Sequence, residues 1–422
     1  MQKEFLRVLP VEDVVSRLLA FAPLPAEPCA LDALSVGSVL AETLTAHEDL
    51  PPTDRSGMDG YAVRAADLFG ASEGNPAWLD CIGDISIDTP PAFTLQPGQC
   101  AAIVTGGSLP EGADAVVMVE HTKPFGAGVI EFRRAAAPGD YVMPQGEDAR
   151  EGQPLLTRGT VLRPQEAGLL AALGITEVPV FQRPRVSILS TGDELVAPEC
   201  RPRPGQIRDV NTTALSAMLR PVAEVSGFGI APDRLEPLTN ALQAALSGHG
   251  QPADVVFLSG GSSIGVRDLT LDALRALGDT EIICHGVALS PGKPLILARC
   301  GQTLVWGLPG QVASAQVVMH ILGIPFLRHL AGHSLSGADA FDQAFWPLRQ
   351  AVLSRNIASR QGREDYIRVK LERDSSGAMQ AVPVPGLSGL LRTLPKADGL
   401  IRIPARLEGL EAGSPVDVLL FS

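Results

Sequence analysis

The apolar positions along this chain change character three times. After Pro10, Val11, Val14, Val15, Leu18 and Leu19 recur at the spacing of a helix with one buried face. From about Asp49 short apolar runs alternate with Pro and Gly, and the runs at 82–87, 101–105 and 115–119 have strand length. That texture ends near Gly146-Glu147-Asp148, and Pro164 to Leu173 reads as a short helix. From Arg185 strands and helices alternate. Val186 to Leu189 predicts a strand, and Asp209 to Leu219 a helix capped by Asp or Asn and stopped by Pro221. Leu238, Leu242, Ala245 and Leu246 mark a helix closed by Gly248, and Val255 to Leu258 a strand followed by Leu271, Leu274 and Leu277 at helical spacing. A strand around Ile282, two strands flanking Gly301-Gln302 and a long helix after Gly307-Leu-Pro-Gly310 complete this stretch. Beyond about Ser336 strands return, with a turn at Asp374-Ser-Ser-Gly377 and a closing strand from Val416 to Phe421.

Alternation of this kind implies parallel strands covered by helices on both faces. The expected fold class is therefore α/β multidomain: a central, mainly parallel α/β sheet domain with a β-rich inserted domain and a C-terminal all-β domain. The composition shifts place a helical linking domain at 1–47 with 149–181 and the inserted domain at 48–148. The α/β domain follows at 182–333 and the C-terminal domain at 334–422. Ligands on such sheets bind outside the carboxyl ends of the strands. The segments at Thr191-Gly-Asp-Glu194, Ser259-Gly-Gly261 and Pro291-Gly-Lys293 are thus expected to share one edge.

With 34 Lys and Arg against 47 Asp and Glu, the net charge is −13, and no basic tract is present. Nucleic acid and anionic membrane are therefore not expected partners. The start lacks a signal-peptide core, and Val312 to Leu330 is broken by His320, Pro325 and Arg328, which predicts a cytoplasmic protein. The six cysteines are scattered without a Cys-x-x-Cys pair, so neither structural zinc nor a disulfide framework is expected. His329 and His333 are four apart near a helix end, and ligation of a metal by that pair is not the favoured reading.

Candidate chemistry begins at Ser259-Gly-Gly-Ser-Ser-Ile-Gly265, where a strand turns through small residues into a helix. Uncovered backbone N–H groups and the helix dipole there suit a phosphate or small oxyanion, although a tight turn without ligand has the same pattern. No Gly-Lys-Ser/Thr follows, so this is not a Walker loop. Lys293, fixed between prolines, is a candidate phosphate contact, while Asp193 and Asp209 read as caps and Tyr61 as packing.

Further segments recur in order: Asp54-Arg-Ser-Gly-Met-Asp-Gly-Tyr-Ala-Val-Arg64, Thr105-Gly-Gly-Ser-Leu-Pro-Glu-Gly-Ala-Asp114, Gly146-Glu-Asp148, Ser190-Thr-Gly-Asp-Glu-Leu195 and Gly205-Gln-Ile-Arg-Asp-Val-Asn211. With the Ser-Gly-Gly loop, Pro291-Gly-Lys-Pro294 and Gly307-Leu-Pro-Gly310, the chain resembles the molybdopterin molybdenumtransferase family, which includes the gephyrin E domain. The resemblance spans essentially the whole chain. It implies insertion of molybdate into the dithiolene of molybdopterin, using molybdopterin-adenylate and releasing AMP with Mg²⁺. It also implies an elongated homodimer, served by a molybdopterin adenylyltransferase and delivering to molybdoenzymes. As catalytic residues it implies Asp59, Thr105, Asp148, Glu194, Asp233 and Asp268, of which Glu194, Asp233 and Asp268 would hold or support the metal. Cofactor contacts would come from Gly260, Gly261, Ser262, Lys293, Pro309, Ser314, Arg363 and Ser388.

The chain departs from the family pattern in places. Gly286 and Ser290 stand where two lysines are expected, Met143 and Gln145 where arginines are usual, and Gln311-Val312 where Asn-Pro is usual. Each cation within about 4 Å of an oxyanion contributes up to about 4 kcal/mol before desolvation at an effective dielectric of about 20. These losses favour an alternative reading, a molybdopterin-binding carrier or catalytically weakened paralogue. A pterin adenylyltransferase fits less well, because the β-rich insertion and C-terminal β domain have no counterpart in a lone sheet domain.

Overall fold

The computed structural model describes residues 8–34, 36–260, 264–334 and 347–421, and only the backbone of 264–268. The chain forms two compact units, 28–180 and 1–27 with 181–422.

The second of these is built on a six-stranded sheet of β1 (Arg185–Thr191), β2 (Glu224–Ala231), β3 (Val255–Gly260), β4 (Thr280–His285), β5 (Ile296–Cys300) and β6 (Thr303–Leu308). Their spatial order is β2-β1-β3-β6-β5-β4. The first four are parallel, and β5 runs antiparallel to both β6 and β4. Successive side chains on a strand face opposite sides, so a sheet buried on both faces needs continuous apolar runs. β3 shows this directly. Val255 and Phe257 enter one core with Leu304 and Trp306 of β6, while Val256 and Leu258 enter the other with Val305.

Helix α1 (Val11–Leu19) buries Val11, Val14, Val15 and Leu18 in the first core, as its spacing predicts. Leu9 just before it pairs with Val287. The same core takes Leu215 and Leu219 of α2 (Asn211–Leu219). Leu238, Leu242 and Ala245 of α3 (Leu235–Ser247) fill the opposite core with Leu271 and Leu274 of α4 (Ile264–Ala276). α3 stops at Gly248, whose φ of 63° lies in the left-handed region. The long helix expected after Gly310 is interrupted. α5 (Val312–Val318) and α6 (Ile324–Leu330) are separated by a π-helical turn at Met319–Gly323. Pro325 lies in the first turn of α6 and has no N–H for the α-helical ladder, so a wider turn there absorbs the missing bond.

The C-terminal strands are β7 (Leu348–Leu353), β8 (Glu364–Arg373), β9 (Met379–Pro383), β10 (Gly399–Ile403) and β11 (Pro415–Leu420). They pair in the order β8-β9-β7-β11-β10, and β10 pairs back onto β8, closing a barrel around Leu353, Val369, Ile401 and Val418. Leu289–Ser290 adds to the barrel as an edge strand beside Glu364 and Asp365, which couples it to the sheet domain. Asp374 accepts from the N–H groups of Ser376 and Ala378, so the expected turn forms.

In the 28–180 unit, a mixed six-stranded sheet runs in the order 115–118, 60–63, 99–103, 77–85, 129–132, 122–124. The strand expected at 82–87 covers Ala77–Ile85 instead. Its inward positions are Leu79 and Ile85, whereas Ile87 lies beyond the strand, exposed, despite its apolar character. The helix Pro164–Ala172 buries Leu170 beside Leu40, Leu162, Val178 and Val180. None of the six cysteines forms a disulfide. Among the described residues, no helix is long and apolar enough to cross a membrane.

His320, in the π turn and packed edge-on against Phe421, is held by burial down to a pKa of about 3. The unfolded chain protonates near 6.5 while the folded one does not, so stability is complete above that pH and falls as pH drops toward 3. Acid titration of urea unfolding midpoints is expected to show a shallower loss across this window in His320→Gln than in the wild type.

Candidate functional site

The register of the sheet brings the expected segments to one edge. Thr191 pairs with Gly260, Ser259 with Leu308, and Ile296, three residues past Lys293, with Gly307. At the ends of β1, β3 and β6 lies a cavity of about 610 Å³, within the usual range for small-molecule sites. Thr191, Glu194, Arg208, Gly260 and Gly310 line it from the sheet domain, and Gly389 from the loop between β9 and β10.

Its geometry follows from short polar contacts. Asp209 Oδ1 accepts from the N–H groups of Asn211 and Thr212, and its Oδ2 from Thr212 Oγ1 at 2.6 Å. The expected cap of α2 is therefore present. The Asn211 amide nitrogen donates to Ser259 Oγ at 2.6 Å and to the Gly310 carbonyl at 2.9 Å. A carbonyl only accepts, so these bonds fix the amide orientation and leave Asn211 Oδ1 buried with no partner among the described residues. The sequence offered Asn211 only as an alternative cap of this helix, not as a tie between strand ends; its signal was an amide two residues after a capping Asp.

Gly260 has a φ of 156°, and a Cβ there would overlap the carbonyl oxygen of Thr191, so β1 and β3 approach too closely at this edge for any other residue. Thr191 Oγ1 donates to Asp233 Oδ1 at 2.7 Å, and the Asp233 N–H donates to Asp193 Oδ1 at 3.2 Å. Three carboxylate residues thus gather near the end of β1, with Glu194 lining the cavity and Asp233 set behind Thr191. Among the described residues, no group of three or more His, Cys, Asp or Glu side chains forms a metal-holding cluster. The Asp268 side chain, Gly261 and Ser262 lie outside the described residues.

The remaining candidates of this unit occupy other places. Pro309 is buried beside the cavity, and Ser314 is buried on the first turn of α5; neither lines the cavity. The Ser388 carbonyl accepts from the Ala313 N–H at 3.2 Å, which seats the β9–β10 loop on α5. Lys293 is exposed on the loop after Leu289–Ser290. Arg363 is neutralised by Asp365, with Nε 3.0 Å from Oδ1. Ser290 pairs with Asp365 in the edge ladder, and Gly286 is buried with a φ of 106°, a backbone that disfavours any side chain. His329 donates through Nε2 to the Phe21 carbonyl at 2.7 Å, a structural contact.

In the 28–180 unit, Asp59 and Thr105 meet. The Thr105 N–H and Oγ1 both reach Asp59 Oδ1 at 2.7 Å, and these bonds hold the Asp59 carboxyl below its ordinary pKa, the backbone bond contributing most. Asp148 lines a hollow of about 360 Å³ with Glu147 and Arg150, to which neither Asp59 nor Thr105 contributes. Gln145 donates from its amide to Asp49 Oδ2 at 2.7 Å. Tyr61 packs edge-on against Phe132.

A mainly parallel α/β sheet followed by a small closed barrel places this cavity at the carboxyl edge of the strands, where sheets of this kind bind ligands. Three family profiles match in sequence: the MoeA N-terminal region (domain I and II) at 9–174, a "Probable molybdopterin binding domain" at 187–329, and the MoeA C-terminal region (domain IV) at 350–421. A molybdopterin molybdenumtransferase 2 of Mycobacterium tuberculosis is 34% identical over 387 residues, covering 90% of this chain and 92% of that protein. A molybdopterin molybdenumtransferase of Bacillus subtilis is 32% identical over 423 residues, covering 98% and 94%. A solved molybdopterin biosynthesis MoeA protein from Pyrococcus horikoshii superimposes with a TM-score of 0.81 at 35% identity, covering 99% of this chain and all of that one. The chain belongs to the molybdopterin molybdenumtransferase (MoeA) family.

Two outcomes test this geometry. Gly260→Ala is expected to lower the melting temperature, whereas Gly168→Ala, helical with open space at its Cβ, should raise stability by about 0.5–1 kcal/mol. Thr105→Val should raise the Asp59 pKa, followed by carboxyl NMR, only part of the way to its ordinary value, because the larger backbone bond remains.

Proposed function

We propose that this protein is a molybdopterin molybdenumtransferase, which inserts molybdate into the dithiolene of molybdopterin from molybdopterin-adenylate and releases AMP. The observation that carries this reading is the cavity at the ends of β1, β3 and β6, lined by both Gly260 and Glu194. The printed names of the M. tuberculosis and B. subtilis relatives support it.

The residues divide the work by their chemistry. Backbone N–H groups at the start of α4 would donate to the phosphates, as at other strand-to-helix turns. Thr191 holds Asp233 by its 2.7 Å hydrogen bond, which limits the carboxylate to one orientation. Glu194 and Asp233 fit Mg²⁺, a hard cation that takes one or two protein carboxylates and completes its shell with water and phosphate oxygens. They would hold it, with Asp268 as the third candidate. When bound, Mg²⁺ would draw charge from the phosphate oxygens. Asp59 and Thr105 form a ready hydrogen-bonded pair in the other unit, and Asp148, Lys293, Arg363 and Ser388 remain assigned to the substrate by the family resemblance. A homodimer is the proposed assembly.

A carrier role is favoured by the local charge: Ser290 adds none, Gly286 has a φ of 106° that a lysine rarely adopts, and Arg363 is engaged by Asp365. The deciding experiment is AMP release from molybdopterin-adenylate with and without molybdate and Mg²⁺. The transferase reading predicts release that depends on both, and a lower molybdate requirement in Ser290→Lys. Binding of the adenylate without release in any condition would establish the carrier instead.

A further inference from the structure

We propose that Arg208 is the phosphate-binding cation of the sheet-domain cavity, an inference that rests on the reading of that cavity as the pterin-nucleotide site. Arg208 is the one basic side chain among the described residues that line it. Its backbone is fixed from two sides. Ile207–Arg208 pairs in parallel with Leu195–Val196, the Ile207 N–H donates to the Glu194 carbonyl, and the Asp209 N–H donates to the Val196 carbonyl, each at 2.8 Å. The strand that carries Arg208 is therefore tied to the residue that carries the cavity's exposed carboxylate.

The guanidinium is oriented as well. Nε donates to the Cys200 carbonyl at 3.0 Å, which occupies one edge of the group and leaves the two terminal nitrogens for another acceptor. Among the described residues Arg208 forms no ion pair, in contrast to Arg363 with Asp365 and Arg402 with Glu364. The neighbouring Asp209 does not compete for it, because both of its oxygens are taken by the cap of α2. A planar fork with two free nitrogens matches phosphate oxygens in a bidentate manner, which a lysine cannot reproduce. In a protein with a net charge of −13, attraction of an anionic substrate has to be local, and Arg208 meets that need at this cavity. The ligand chemistry is a phosphate monoester or diphosphate attached to a nucleoside or pterin.

The test uses the full chain with AMP, adenosine and molybdopterin-adenylate as separate probes in calorimetric titrations. Arg208→Gln is expected to weaken AMP and molybdopterin-adenylate by about tenfold or more while changing adenosine by less than about twofold; Arg208→Lys should recover only part of the loss. The AMP affinity of the wild type should fall with added salt more steeply than that of Arg208→Gln. Melting temperatures within a few degrees of the wild type would separate charge from folding, and the adenosine arm does so even if stability drops. Equal loss for adenosine and AMP, or no loss for AMP, would overturn this inference while leaving the proposed function standing. Wild-type protein that binds neither AMP nor molybdopterin-adenylate would remove both.

Discussion

The amide of Asn211 holds the site together. With one nitrogen it reaches Ser259 at the end of β3 and Gly310 just past β6, and its own backbone starts α2 under the cap of Asp209. Ser190, at the end of β1, joins through Thr212 at 2.9 Å. Three strand ends and a helix start are thereby tied by hydrogen bonds in a buried setting, where each satisfied bond is strengthened by its low-dielectric surroundings and each broken one costs the desolvation of its partner. The apolar cores on the two faces fix the sheet, but they do not specify where the loops leave it. The Asn211 network does, and the positions of Glu194, Arg208 and Gly260 follow from it.

Close approach of backbone adds a second constraint of the same kind. At Gly260 the chain runs so near the Thr191 carbonyl that only hydrogen fits, and at Gly192, with a φ of 157°, a Cβ would press on the Glu194 carboxylate. These glycines leave room for the side chains that define the cavity. The barrel contributes through one edge: the ladder from Leu289–Ser290 to Glu364–Asp365 and the Ser388 contact to α5 bring the β9–β10 loop to the cavity wall.

Elements with a strong apolar period were readable from the sequence because burial on one or two faces sets that period directly. α1, the helix closed by Gly248 and the continuous runs of β3 and β6 are examples. Closure of the C-terminal strands into a barrel was not readable, since it depends on the pairing of β8 with β10, from Val369 with Gly399 to Asp365 with Ile403, far apart in the chain. The π turn was also hidden: Pro325 signals a break but not its form. Among site residues, the family resemblance pointed to Glu194 and Gly260, which line the cavity, and to Asp59 and Thr105, which meet. Arg208 was given no role and Asn211 was read only as a possible cap, because the parts they play arise from a two-residue ladder and a cross-strand amide that have no periodic signature. The buried, positive-φ backbone of Gly286 was equally invisible, and it explains why a lysine does not belong there.

The central claim is that the edge formed by β1, β3 and β6 receives the pterin nucleotide. Hydrogen–deuterium exchange on the full chain, with and without molybdopterin-adenylate, tests it most directly. The account predicts slowed exchange in the segments around 191–195, 207–212 and 310–313 when the ligand is present. Protection confined to other segments, such as the hollow at 144–155, with no change at these strand ends, would contradict it.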